Sequence, residues 1–445
     1  MSFEPSASAS SAVIYGLEDR IPWPKALVIA LQHLLAMFVG TITPATIVAG
    51  ALGLPFEDRA YLINMSLVAS GVGTLLQVMS WRGFGSGLLS ITGTSFAFIT
   101  PIILAGKAGG LALVFGMSLV MALVPIGLAP FLPRLQRAFS PVVAGTVVLL
   151  LGLLLIPTSM YGVQTPLAGG NAPVASLAVT ALVLALLVFF NALGATWARV
   201  SAALLALAGG LLACVLLGGV EAPPAGAWFA LPSPLKYGLS FSWSFVIPFA
   251  FVYLITVIET MGDLTACSDL SGQPTEGPSY WRRIRGGVLA DGVNCVFAAL
   301  INCFPSTTFA QNNGVIQMTG VASRRCGYLC GALLVAFGLL PGLGRWVASI
   351  PAPVISGLTL VLFGLIATAG LRILSRTALG QRELLIIALS LGLGLGVETH
   401  PEALKALPPT LGLILGSGIS TGGMCALLLN LVLPRPVPIA IPQTH

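Results

Sequence analysis

Residues 304–320 read FPSTTFAQNNGVIQMTG, and this stretch decides how the chain must fold. It carries too many polar groups, and too short an apolar run, for a helix that faces lipid. Long apolar stretches nevertheless flank it. A second stretch, SITGTSFAFITPI at 90–102, likewise puts Thr92, Gly93, Thr94 and Ser95 ahead of its apolar part. Irregular backbone at membrane depth survives only where protein or a watery cavity satisfies its polar groups. Interrupted segments in corresponding positions of two halves point to a transporter binding site. Each is expected to run extended through its β-branched residues and then turn helical, aiming helix N-terminal N–H groups at the bilayer centre.

The rest of the chain fits a membrane setting. Of 445 residues, 56% are apolar and only 8% charged, with a mean hydropathy of +0.99. A soluble domain carries about a quarter charged residues, so a cytosolic enzyme, a nucleic-acid binder and a secreted module are excluded. The 20 basic residues are scattered through connections instead of clustered, which also argues against nucleic acid. Most cysteines lie inside apolar stretches (Cys214, Cys295, Cys303, Cys330, Cys425) and read as small core residues. Cys326 and Cys330 stand one helical turn apart without flanking histidines, so no metal site is expected. No cleavable signal is evident: Glu4, Glu18 and Asp19 precede the first apolar run, which is too long for a signal core.

Apolar spans read near 27–49, 60–80, 87–105, 109–133, 140–157, 174–194, 200–218, 241–263, 286–303, 304–321, 326–343, 347–371, 384–397 and 407–433. The longest polar stretch, 264–285, reads as a loop. With a cytoplasmic N-terminus, fifteen Lys and Arg fall inside (Arg20, Lys25, Arg82, Arg134, Arg137, Arg199, Arg282, Arg283, Arg285, Arg324, Arg325, Arg372, Arg376, Arg382, Arg435) and five outside (Arg59, Lys107, Lys236, Arg345, Lys405). That asymmetry matches the positive-inside rule, and a miscounted span would scramble it. Fourteen spans with both termini cytoplasmic are expected.

The halves repeat. PVVAGTVVLLLGLLLI (141–156) and PVISGLTLVLFGLIAT (353–368) share six of sixteen residues at an offset of 212. TSFA (94–97) matches TTFA (307–310) at an offset of 213. Fourteen spans halve into seven, and an odd number inverts the second copy. The expected fold is thus an all-α polytopic membrane protein of two inverted seven-span repeats, with strand-plus-half-helix segments in spans 3 and 10.

Three acids fall inside spans: Glu259 and Asp263, one helical turn apart in VIETMGDLT, and Asp291 in GGVLADGVNCV. An intramembrane charge costs about 2.5–3.5 kcal/mol on insertion scales, so such residues are paired, cavity-facing or proton-carrying. Gln32 and His33 lie in the first span; a lone His there is more often a packing residue than a proton carrier. His400, near Glu398 and Glu402, reads as a solvated loop group. GLGLGVE (392–398) is helix-packing glycine with no strand before it, so no nucleotide loop is expected. An intramembrane aspartyl protease would need facing Asp residues in a paired signature, which Asp263 and Asp291 do not make. His33 has no Ser partner, and an enzyme would not explain inverted halves. A transporter is expected, with a passive channel as the alternative.

The signature Gln311, Asn312, Gly314, Thr319 within FAQNNGVIQMTGVASRR resembles that of the nucleobase–ascorbate transporter, or nucleobase:cation symporter-2, family. Gln32–His33, SFAFI (95–99), ETMGD (259–263) and Asp291 extend the resemblance over most of the chain. It implies an elevator. Residues 26–133 and 241–343 would form a substrate-carrying core, 134–220 and 344–433 a gate that also makes a homodimer, and 1–25 a cytoplasmic segment. It further implies that Glu259 accepts N–H groups of a planar base and Gln311 reads its amide edge. Phe96 and Phe309 would flank the ring, with Asn312 and backbone N–H groups near Ser95 and Ala310 contributing. Asp263, His33 and Asp291 would tune or carry the proton, the only coupling species expected; no cofactor is. Gln311 at the first signature position resembles the xanthine and uric acid branch, whereas uracil carriers place Glu there. Ser95, where many xanthine carriers have Asn, leaves room for uric acid. The expectation is a proton-coupled importer of xanthine or uric acid in a bacterial inner membrane. The alternative is a uracil or broad nucleobase carrier.

Overall fold

The computed structural model describes residues 13–135, 140–167, 173–217, 219–220, 223–404, 406–408, 411–412 and 415–434. Of the cations used for sidedness, Arg137, Lys405 and Arg435 lie outside these. The first part of the chain forms α1 (Trp23–Ala51), α2 (Phe56–Val78), strand β1 (Thr92–Thr94), α3 (Ile99–Met121), α4 (Leu123–Leu128), α5 (Leu132–Leu135), α6 (Pro141–Val163), α7 (Pro173–Ala192) and α8 (Thr196–Leu216). There follow α9 (Val246–Leu270), α10 (Gly277–Leu300), strand β2 (Ser306–Thr308), α11 (Gln311–Thr319), α12 (Arg324–Gly338), α13 (Pro341–Ala348), α14 (Ala352–Ser375), α15 (Gln381–Thr399) and α16 (Gly418–Val432). Among the described residues, eight helical stretches are long and apolar enough to cross a membrane. They are nine if α12 and α13, bent by 76° at their break, count as one.

Local chemistry sets the element ends. Ser140 caps α6, its hydroxyl accepting from the Val143 N–H at 3.4 Å, with Pro141 pre-set for the first turn. Gly110, at φ +67°, breaks α3 where the sequence separates a third span from a fourth. The polar stretch 264–285 is not the loop expected from its composition: α9 and α10 run through most of it and leave only 271–276 between them. Helical backbone bonds do not depend on side-chain polarity, so both helices continue through polar sequence. Arg283 there donates to Gln273 at 2.6 Å.

The helices close around the two short strands. β1 and β2 pair antiparallel, with Thr92 opposite Thr308, Gly93 opposite Thr307 and Thr94 opposite Ser306. The ladder is extended by Ser95 N–H to Pro305 O and Phe309 N–H to Ile91 O, both 2.9 Å. Thr74 of α2 accepts from the Thr92 N–H at 3.1 Å. Protein groups thus satisfy the strand backbone at depth, which a lipid-facing ribbon could not achieve. The two matched segments, in α6 and α14, pack along each other. A Cβ on Gly152 would lie 2.3 Å from the Ala367 nitrogen, so the helices approach as closely as they do only because that residue is glycine.

Candidate functional site

The strand pair gives way on each side to a helix start. After β1, Ser95 caps a 3-10 turn (Phe96–Phe98), its hydroxyl accepting from the Ala97 N–H at 3.3 Å. After β2 come Phe309 and Ala310, then Gln311 as first residue of α11. The rings of Phe96 and Phe309 face each other, 6.3 Å between centroids and 19° from parallel. Phe309 lies on Gly93, where a Cβ would stand 2.4 Å from its ring edge. Phe363 of α14, which the sequence reading missed, meets Phe96 edge-on at 5.4 Å. All three rings are buried.

Helix α9 is bound to this strand pair. Thr308 donates to the Asp263 carboxylate at 3.1 Å, and Asn313 to the Asp263 carbonyl at 3.2 Å. Thr260 shares a hydrogen bond with Thr307 at 3.2 Å. Glu259, beside Thr260, is the acid left over: its Oε2 is buried with no hydrogen-bond partner, and no cation among the described residues pairs with it. Gln311 is half-buried, and its side chain makes no hydrogen bond to any described residue. The site therefore offers one carboxyl group, an acceptor on both oxygens when ionised, and one donor–acceptor carboxamide, neither spent on a described residue.

The other expected residues have different surroundings. Asp291 is held on both oxygens, by Gln77 at 2.8 Å and by the Thr260 hydroxyl. Gln77 also donates to the Gly287 carbonyl at 2.8 Å. Asn312 is buried and turned to His33: its amide nitrogen lies 3.1 Å from the ring Nδ1 and 3.0 Å from the His33 carbonyl. An amide N–H only donates, so this ring accepts at Nδ1 and carries its proton on Nε2, which has no partner. The Ser95 N–H is spent on Pro305. Among the described residues no backbone acceptor meets the N–H groups of Phe96, Ala310 and Gln311, so these donors lie one residue beyond Ser95 on the first arm. His400 is exposed and pairs with Glu402 at 2.9 Å.

Gln77, Thr260, Thr307 and Asn294 escaped the sequence reading. Gln77 ends the apolar run SLVASGVGTLLQV, and one buried amide there was a usable signal. Asn294 follows Asp291 by three residues, placing it on the same helix face; it donates to Ser306 at 2.6 Å. Among the described residues no group of three or more His, Cys, Asp or Glu is arranged to hold a metal.

Residues 24–403 match the model of the Permease family. Xanthine permease XanP of Escherichia coli (strain K12) is 43% identical over 445 residues, covering 96% of this chain and 95% of that one. Uric acid permease PucJ of Bacillus subtilis (strain 168) is 32% identical over 421 residues, covering 92% of each. Among solved structures, the transmembrane domain of the cyanobacterium bicarbonate transporter BicA superposes with a TM-score of 0.59 at 16% identity, over 93% of this chain and all of that one. At that identity the likeness concerns the fold.

Proposed function

The chain belongs to the Permease family, the nucleobase:cation symporter-2 group of multi-pass membrane transporters and not of enzymes, and from that premise we propose that it imports xanthine or uric acid together with a proton. The observation that carries the substrate class is the pairing of unspent Glu259 and Gln311 groups with the parallel Phe96 and Phe309 rings. A purine dione presents what these groups want: a flat ring, N–H donors for a carboxylate, and an amide edge for a glutamine.

Two arms, each strand then helix start, meet antiparallel. The free N–H groups of Phe96 on one arm, and of Ala310 and Gln311 on the other, favour the electron-rich carbonyls of the base. This pseudo-symmetry supports two inverted seven-span repeats, hence fourteen spans; on that reading both termini would be cytoplasmic in a bacterial inner membrane. The core of 26–133 with 241–343 would move substrate past the gate of 134–220 with 344–433, as an elevator. Phe363 on α14 would be the gate's contact with the ring pair, and a homodimer would form through the gate.

His33, Asp263 and Asp291 make the coupling system. A second proton on His33 would end its ring's acceptance from Asn312, leaving that amide only the His33 carbonyl at the start of α11. Proton uptake is thereby linked to the helix that begins with Gln311. A potential of 100 mV supplies about 2.3 kcal/mol per charge, enough for roughly 50-fold accumulation with one proton per substrate. Uptake of labelled xanthine, uric acid and uracil into cells expressing the protein, with and without a protonophore, tests the proposal. Purine uptake that collapses with the gradient is expected. Undiminished uptake would make the protein a facilitator, and preference for uracil would overturn the substrate.

A further inference from the structure

A cavity of about 160 Å³ opens among the first turns of α2, the elbow between α12 and α13, and residues 230–236 of the segment before α9. Asn64 lies thirteen residues along α2 from Gln77, about 20 Å at 1.5 Å per residue, so this cavity is separate from the strand-pair site. Tyr61, Asn64, Lys236, Arg345 and Glu57 supply its polar lining.

The charges there do not cancel in pairs. Lys236 donates to Asp58 at 2.8 Å and sits over the Tyr61 and Tyr237 rings. Arg345 is 8% exposed and donates to the Ala227 carbonyl at 2.9 Å. No carboxylate lies within ion-pair range of it among the described residues. Glu57 stands exposed at the rim, also unpaired. Asn64 is buried with its Oδ1 lacking a donor. Among the described residues, Arg345 and Glu57 thus lack an ion-pair partner and Asn64 Oδ1 lacks a donor, all around a single cavity. A buried guanidinium is costly until an anion meets it.

The surroundings of the mouth name the occupant. Leu231, which lines the cavity, is 68% exposed, and Trp228 and Trp243 of the same segment are 89% and 82% exposed. Trp346, beside Arg345, is exposed too. Amphipathic rings of this kind sit at the lipid headgroup level. We propose that the cavity binds one phospholipid headgroup, its phosphate on Arg345 and its acyl chains over Leu231 and the aromatic segment. A zwitterionic ethanolamine headgroup fits better than an anionic one, because its ammonium reaches Glu57 and Asn64 while its phosphate meets Arg345.

The full chain, purified from membranes holding phosphatidylethanolamine and phosphatidylglycerol, is delipidated in steps and its retained lipid counted by mass spectrometry. Wild type is expected to keep one phosphatidylethanolamine per chain after bulk lipid is gone, and Arg345→Gln and Glu57→Gln to keep at least tenfold less. Glu57 is exposed and unbonded, so its variant reports even if Arg345→Gln fails to fold. Equal retention in Glu57→Gln and wild type would overturn the proposal, as would preferential retention of phosphatidylglycerol. Inorganic phosphate that stabilises the delipidated protein against heat as well as phosphatidylethanolamine does would reassign the cavity to a free anion.

Discussion

Asn312 holds His33 with one amide nitrogen, 3.1 Å from the ring Nδ1 and 3.0 Å from the backbone carbonyl, across 279 residues of sequence. The contact ties the start of α11 to the middle of α1. A buried polar group left unsatisfied costs about 1–3 kcal/mol. Asn312→Ala should therefore lower thermal stability in detergent and cut uptake at least tenfold. In a double-mutant cycle with His33→Ala, the two losses should fall short of additivity by about 0.5–3 kcal/mol. Strict additivity would mean the contact is idle.

Gly93 and Phe309 share one space. A Cβ at Gly93 would sit 2.4 Å from the Phe309 ring, and one at Gly40 would sit 3.0 Å from it. Overpacking of this kind costs about 1–3 kcal/mol. Gly93→Ala should abolish uptake and Gly40→Ala reduce it less. Gly93→Ala with Phe309→Leu should recover stability but not substrate affinity. Normal affinity in that double variant would remove Phe309 from the site.

Thr260 joins Asp291 to Thr307, so its hydroxyl matters and its methyl does not. Thr260→Ser should keep most uptake, whereas Thr260→Val should lose at least tenfold, comparable with Gln77→Leu. Initial rates at matched expression decide it. Equal activity of the Ser and Val variants would show that Asp291 needs no partner there.

Much of this was legible in the sequence because composition and polarity report directly on a lipid solvent. Both interrupted segments were visible as Thr, Ser and Asn at membrane depth, and their pairing follows from backbone that cannot face lipid. What stayed hidden depends on three-dimensional partners. That Asn312 faces His33, or that Asp291 is held by Gln77, follows from helices brought together across more than two hundred residues. The difference over 264–285 has another cause: polar side chains do not interrupt helical backbone bonds, so α9 and α10 continue through a stretch whose composition predicts a loop.

Ser95 sets the room beside Phe96. Asn caps a helix start as well as Ser does, so Ser95→Asn should fold while filling space beside the five-membered ring, where uric acid bears its extra oxygen. Competition uptake should then favour xanthine over uric acid more than wild type does. An unchanged ratio would place Ser95 outside the pocket.

On the proposed reading Glu259 and Gln311 hold the purine, and calorimetric titration of xanthine and uric acid into purified wild type and Glu259→Gln puts that contact to the test. The amide keeps the carboxylate's shape but turns one of two acceptors into a donor aimed at a ring N–H. A hydrogen bond to a charged group is worth about 1.5–3 kcal/mol, so affinity should fall by about ten- to more than a hundredfold. Gln311→Glu, measured alongside, should weaken xanthine more than uracil. Wild-type affinity for the purine in Glu259→Gln would contradict the account and put the substrate elsewhere.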